Sequence, residues 1–272
     1  MRVGRHAFIL LVAAASIASA CAAIADLAEP SDLPANADGD AAQNDATTND
    51  APGLIDATGD SDPTDAGLDV KDDGRCRLLV ADSFDDDAST GRWRFLGKAR
   101  LANGQLELVP DEANVAGAIW RDVPDAGAGV LHVTFKSSIT DGSAPPADGL
   151  AFAWSSTLTP TLGSIGGNVG LCGSTANGLA VSLSSLDNEV RLVNVADGGC
   201  TEVQAFAANT FNSKSVEITA RPANVAIKLN TSSFQTTSPR NVTVRAIGFT
   251  AATGGAQARH AVDDVRVEIC SE

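Results

Sequence analysis

From Cys76 to Glu272 the chain reads as short runs in which apolar and polar residues alternate: Gln105–Val109, Val130–Phe135, Ser215–Thr219, Val225–Leu229 and Val262–Ile269. Alternation with a period of two sends successive side chains to opposite faces, so each run predicts a strand with one buried face. Asn103-Gly104, Asp141-Gly142, Asp197-Gly198 and Gly254-Gly255 fall outside the runs and mark turns, because these residue types tolerate left-handed backbone. No stretch carries the 3.6-residue periodicity of an amphipathic helix. Roughly 200 residues of strands spaced in this way point to one all-β sandwich, residues 76–272, without internal repeat.

Ahead of that domain the texture differs. Arg2 and Arg5 precede an uncharged apolar stretch from Ala7 to Ala20, so residues 1–20 read as a secretory signal; the stretch falls short of the ~20 apolar residues a spanning helix takes. The signal ends Ile17-Ala18-Ser19-Ala20-Cys21. Small residues before a cysteine resemble the lipobox of bacterial lipoproteins, which implies an acylated Cys21 as the new N-terminus. An ordinary small-x-small cleavage leaving Cys21 as a free thiol is the other reading. The chain has five cysteines; an exported chain with an odd count needs a separate account of one thiol. Acylation of Cys21 supplies it and leaves Cys76, Cys172, Cys200 and Cys270 for two disulfides in an oxidising compartment. None of them has the close spacing of a sulfur-based zinc site.

Residues 21–75 form the link between anchor and domain. Fourteen acidic residues there face only Lys71 and Arg75, and no aromatic occurs. Such a segment cannot bury enough apolar surface to offset its conformational entropy, so it is expected to be a disordered, self-repelling spacer. Its Asp, Asn and Gly runs lack the twelve-residue ligand pattern of a calcium loop. A formal net charge of -15 argues against nucleic acid and anionic lipid as partners. Membrane contact is therefore expected through the N-terminal lipid only.

Three stretches carry more specific information. Ala147-Asp148-Gly149-Leu150-Ala151-Phe152 is similar to the Ala-Asp-Gly-x-Ala-Phe strand opening of legume and other L-type lectins. Gly166-Gly167-Asn168-Val169-Gly170-Leu171 resembles their Gly-Gly-x-Leu-Gly-Leu loop, and Ile247 to Gly254 resembles their Val-Gly-Phe-Ser-Ala-x-Thr-Gly. The resemblance covers most of residues 77–270 and implies a concanavalin A-like jelly-roll sandwich with sugar-binding loops at one concave edge. It implies that Asp148 accepts hydrogen bonds from sugar hydroxyls and that a backbone N–H of Gly166 or Gly167 donates to the sugar. An ionised carboxylate suits two hydroxyl donors, and glycine lets backbone approach a ligand closely. An aromatic usually covers the ring. The chain has no tyrosine, which leaves Trp93, Trp120 and Trp154; Trp154, on the face of Phe152, reads as core.

On the following strand the family carries Val-Ala-Val-Glu-Phe-Asp, whose two acids bind metal. This chain has Leu179-Ala-Val-Ser182-Leu-Ser184 followed by the short Ser185-Leu-Asp187-Asn188-Glu189. Serine hydroxyls are poor calcium ligands, so no metal and no other cofactor is expected. In such sandwiches the first and last strands are neighbours. That pairs Cys76 with Cys270 and leaves Cys172 with Cys200, next to the Gly-Gly loop. The same adjacency brings Asp82 and Asp85 to Asp87 near Asp263 and Asp264, either around a structural calcium or as solvated turn residues.

Glucan hydrolases on this fold carry acids at alternate positions of one strand face, and retaining glycosidases need two carboxyls about 5 Å apart. Glu107, Glu202 and Glu217 are isolated here, and His132 and His260 have no Ser or Cys partner in a catalytic motif. A non-enzyme is expected. The reading is a carbohydrate-binding module with a glycan or polysaccharide partner, lipid-anchored at the bacterial outer membrane or cell surface. The alternative is a structural or adhesive lipoprotein whose fold has lost sugar binding. An open concave face with an exposed aromatic favours the first; a face filled by its own side chains favours the second. Cys21→Ser is expected to abolish labelling by radioactive fatty acid and to move the chain from the membrane to the soluble fraction; undiminished labelling would rule out Cys21 as the acylated residue.

Overall fold

In the computed structural model, which describes residues 76–86, 91–127 and 129–271, the alternating runs become fifteen strands. The predicted signal, Cys21 and the acidic linker lie outside the described residues. In chain order the strands are β1 (Cys76–Asp82), β2 (Arg94–Gly97), β3 (Arg100–Ala102), β4 (Gln105–Val109), β5 (Ala116–Gly127), β6 (Val130–Thr140), β7 (Gly149–Ser155) and β8 (Gly178–Ser184). They continue as β9 (Glu189–Ala196), β10 (Gly199–Ala207), β11 (Asn212–Ala220), β12 (Asn224–Leu229), β13 (Ser232–Thr237), β14 (Val244–Ala252) and β15 (Arg259–Cys270). Two antiparallel sheets result. The back sheet runs β13-β12-β11-β6-β15-β4-β3 with β1 also on β15, and the front sheet runs β10-β9-β8-β7-β14-β5-β2. This is the all-β, two-sheet sandwich expected. Among the described residues no helix is long and apolar enough to cross a membrane.

The predicted runs lie inside β4, β6, β11, β12 and β15, and the turn signals act through backbone conformation. Asn103-Gly104 closes β3 on β4 and Asp197-Gly198 closes β9 on β10, all four residues at positive φ. Two consecutive left-handed residues match the twist of the strands they join.

Between the sheets Phe135, Phe152 and Phe249 pack with ring centroids 5.0 to 6.2 Å apart, and Trp93 lies 6.4 Å from Phe249. All four are buried; truncating one such ring costs ~3–5 kcal/mol. Trp154 belongs to this core, as expected. β7, β8 and β14 are buried along their whole inner and outer faces apart from Arg245. Their outward positions are small: Ala151 and Ala153, Ala180 and Ser182, Ala246, Gly248 and Thr250. A second buried layer stands on that face, with Val169 and Leu171 against Ala118, Trp120, Ala151, Ala153 and Ala246.

Cys76 bonds Cys270 across the β1–β15 pair, and Cys172 bonds Cys200, both as expected. The first bridge closes a separation of 194 residues, worth about 5 kcal/mol in the chain-entropy account. Two disulfides are the mark of an oxidising, exported environment. The terminal acids are otherwise engaged. Asp82 accepts from Trp93 Nε1 (2.9 Å) and the Phe84 N–H (3.0 Å), and Asp264 pairs with Lys136. Asp263 accepts from the Asp264 N–H (2.8 Å) and feels the charges of Asp264 and Asp85; among the described residues no three acidic, His or Cys side chains are placed to share an ion, and Asp87 lies outside them.

His260 on β15 is fully buried, and burial holds its pKa down to about 4 against a smaller upward pull from the Ala258 backbone. An unfolded histidine takes a proton near pH 6.5. As pH falls from there to about 4 the unfolded chain binds a proton that the folded ring refuses, so stability present above pH 6.5 is progressively lost. The loss is about 3 kcal/mol over that window. Urea denaturation at stepped pH is expected to show this loss in the wild type and a flatter profile in His260→Gln; parallel profiles would assign the acid sensitivity elsewhere.

Candidate functional site

Asp148 stands immediately before β7, at the end of the front sheet where four connections meet. Its N–H donates to the Ala252 carbonyl (3.1 Å) and its carbonyl accepts from the Ser185 N–H (3.0 Å). The main chain of Asp148 thus ties β14 to the loop after β8. The Ala147–Asp148 peptide is cis. The side chain is 7% exposed. Its carboxylate accepts from the Gly254 backbone N–H, while Oδ2 has no hydrogen-bond donor. Burial raises the Asp148 pKa, the Gly254 bond opposes the rise, and the charge of Asp187 adds to it. A buried carboxylate oxygen without a donor is unfavourable unless a proton or a partner completes it.

Gly166, Gly167 and Asn168 make a single 3-10 turn in the connection between β7 and β8. Gly166 has φ +71 and its N–H is taken by the Thr253 carbonyl at 3.2 Å. Of the two candidate donors, Gly167 is therefore the one presented to solvent: it is exposed, with nothing within 4 Å of where a Cβ would stand. The turn is held from beneath by Val169 and Leu171, buried on the alanine face of the front sheet. From the side it is held by the Cys172–Cys200 bridge to β10. Gly254 completes the slot. A Cβ there would stand 3.0 Å from Asp148 Oδ2 and 3.5 Å from the Gly166 Cα, so the three loops approach this closely only around glycine.

The fourth connection is residues 185–188. Ser184 Oγ donates to Asp187 Oδ2 (3.0 Å) and accepts from the Asp187 N–H (3.3 Å). Asp187 also accepts from the Arg191 guanidinium on β9. Arg191 Nε donates to Glu189 (2.9 Å) and lies 3.4 Å from Glu202 on β10. Burial works against the Arg191 charge, but Glu189 and Asp187 outweigh it and hold its pKa above the ordinary value. Arg191 pairs in register with Ser182. The strand beside the two serines thus presents a cation on the same outer face.

The structure brings Asp148, Gly166 and Gly167 together, as the sequence suggested, and adds Gly254, Asp187 and Arg191, which it did not. An exposed aromatic is not present among the described residues: Trp93, Trp120 and Trp154 are 4%, 1% and 3% exposed. Val169 and Leu171 cover the alanine positions of the front sheet's outer face; that filling on its own weighs towards the structural reading, and a ligand at Asp148 would meet the loop rim, where Ile165, Gly167 and Leu186 are exposed. Among the described residues two large apolar side chains are exposed, Ile165 at 47% and Leu186 at 43%, one in each of the two loops bordering Asp148. They were invisible in the sequence because single apolar residues in loops carry no periodic signal.

The donor set does not suit a divalent ion. Ser182 and Ser184 are buried hydroxyls, Asp187 is already shared by Ser184 and Arg191, and no metal-holding cluster exists among the described residues. Calcium takes six to eight oxygens, several of them carboxylate.

Residues 81–238 match the legume-like lectin family. No curated protein matches the chain by sequence. Solved structures that are similar include the VIP36 exoplasmic/lumenal domain in its Ca2+/Man3GlcNAc-bound form, at 17% identity and TM-score 0.54, covering 66% of this chain and 83% of that one. Lectin I-B4 from Griffonia simplicifolia in metal-free form is similar at 18% identity and TM-score 0.58, covering 71% and 100%. The lectin from Bauhinia forficata in complex with GalNAc follows at 17% and 0.56, covering 72% and 100%. At these identities the likeness is one of fold.

Proposed function

The chain belongs to the legume-like lectin family, and from that premise we propose that it is a carbohydrate-binding module that works without a metal ion. The family's fold supports carbohydrate binding in general. The observation that carries the specific site is Asp148 Oδ2, a carboxylate oxygen with no donor in a slot lined by Gly166 and Gly254. A sugar hydroxyl supplies that donor, and the exposed Gly167 N–H faces outward to return a bond to a sugar oxygen. Charge-assisted bonds of this kind are about twice as strong as neutral ones. Ile165 and Leu186 stand where an apolar ring face can be covered without an aromatic. VIP36 with Ca2+ and Man3GlcNAc, and the Bauhinia lectin with GalNAc, make saccharides the ligand class to test.

The same proposal makes the module non-catalytic. The carboxylate whose charge acts on Asp148, Asp187, is committed to Arg191 and Ser184. It also places the domain at a bacterial outer membrane or cell surface, held by a lipid on Cys21 through the acidic spacer. The two disulfides agree with an exported domain.

A glycan array probed with the full chain, in calcium and in EDTA and beside Asp148→Asn, tests the reading. Binding is expected to survive EDTA and to fall about tenfold or more in the variant, the size of one charged hydrogen bond. Because burial raises the Asp148 pKa, binding should weaken on acidification before an ordinary carboxylate would titrate. An array left blank by the folded, disulfide-intact protein would contradict it and favour a structural or adhesive role.

A further inference from the structure

We infer that the Arg191 guanidinium is a built-in cation that organises the 184–189 loop beside Asp148. The inference deepens the metal-free reading above and concerns how the loop is ordered, not which sugar it meets.

The argument starts from charge. Asp187 just after β8, Glu189 at the start of β9 and Glu202 within β10 converge on Arg191. Three carboxylates so close repel one another and open the loop unless a cation stands among them. Arg191 reaches all three: Asp187 through Nη2, Glu189 through Nε and Nη2 at 2.9 and 2.8 Å, and Glu202 at 3.4 Å. A guanidinium offers five donors in a fixed planar fork, so one side chain can bind several carboxylates. Its side chain is 25% exposed, less than Asp187 at 44% or Glu202 at 52%. That burial strengthens the pairs relative to ion pairs in open water, which are worth little.

The location gives the arrangement its consequence. Arg191 stands opposite Ser182, and Ser184 opposite Glu189, in the β8–β9 register. Ser184 passes the ordering on, bonding Asp187 through both hydroxyl and loop N–H. One residue further, the Ser185 N–H holds the Asp148 carbonyl. A chain of direct contacts therefore runs from Arg191 through Asp187 and Ser184 to the backbone of Asp148. A carboxylate at 182 or 184 would add negative charge to this cluster, whereas a serine leaves the guanidinium as the sole positive centre and donates a hydrogen bond besides. Arg191 is a positioning residue in this account; it acts on the site through the loop.

Amide hydrogen exchange on the full chain, in EDTA and in calcium chloride, tests this without any sugar. Wild type is expected to show the same protection of residues 184–189 and the same melting temperature in both. Arg191→Gln should speed exchange in that loop and at Ser185 by about tenfold or more, while β6, β14 and β15 stay protected, which certifies the fold. Asp187→Asn should loosen the same amides from the other side of the pair. Arg191→Lys, which keeps the charge on a single nitrogen, should recover part of the protection. Unchanged loop exchange in Arg191→Gln, equal loss in the Gln and Lys variants, or a calcium-induced rise in wild-type melting temperature would each overturn the assignment. A blank glycan array would leave these results intact, so the two readings fail separately.

Discussion

The arrangement of the rim depends on one packing constraint: the outer face of the front sheet carries almost no side-chain bulk. Ala118, Ala151, Ala153, Ala180, Ala246 and Gly248 leave room for Val169 and Leu171 to lie directly on the strands. Trp120 closes the remaining gap by laying its indole over Gly248, where a Cβ would stand 2.4 Å from the ring. Because close-packed interiors tolerate little change in volume, one loop conformation fits this face. It carries Gly166 and Gly167 to the end of β7, and the Cys172–Cys200 bridge fixes the far side of the same loop.

On that scaffold the electrostatics divide into two parts. Asp148 is kept in an unfavourable state, buried, with Oδ2 lacking a donor, and further opposed by the charge of Asp187. Asp187 itself is kept in a favourable one, neutralised by Arg191 and hydrogen-bonded by Ser184. A buried polar group without a partner is one that a ligand can complete, while satisfied networks rigidify their surroundings. The contrast between these neighbouring carboxylates, one unsatisfied and one over-satisfied, separates the group that would meet a ligand from the group that holds the loop.

The sequence made the strands legible wherever one face is wet. β11, β12 and β15 alternate because their outward residues are polar; β4 alternates as well, although its Glu107 is buried beneath Arg100 and Arg259. In β7 and β8 both faces are buried, so the alternation is large against small, and the motif resemblance carried what the hydropathy pattern did not. Asp148 and the Gly-Gly turn were legible because their residue types recur in fixed order in similar lectins. The serines at 182 and 184 were legible as a departure from the similar lectins, and both are buried hydroxyls at the end of β8. Arg191 was not legible: an isolated arginine on a strand looks like a solvated face, and its contact with Glu202 depends on the pairing of β9 with β10. The open concave face and exposed aromatic expected of a sugar binder are replaced by a filled face and two aliphatic side chains, Ile165 and Leu186. Nothing local in the sequence marks either.

The most direct test of the whole account is a crystal structure of the chain grown in EDTA with a saccharide that it binds. The account predicts a sugar hydroxyl within hydrogen-bond distance of Asp148 Oδ2, a sugar oxygen facing the Gly167 N–H, and the Arg191–Asp187 pair intact beneath them. A saccharide seated away from the rim formed by residues 165–167, 186 and 254, or an Arg191 side chain swung out of the loop, would contradict it.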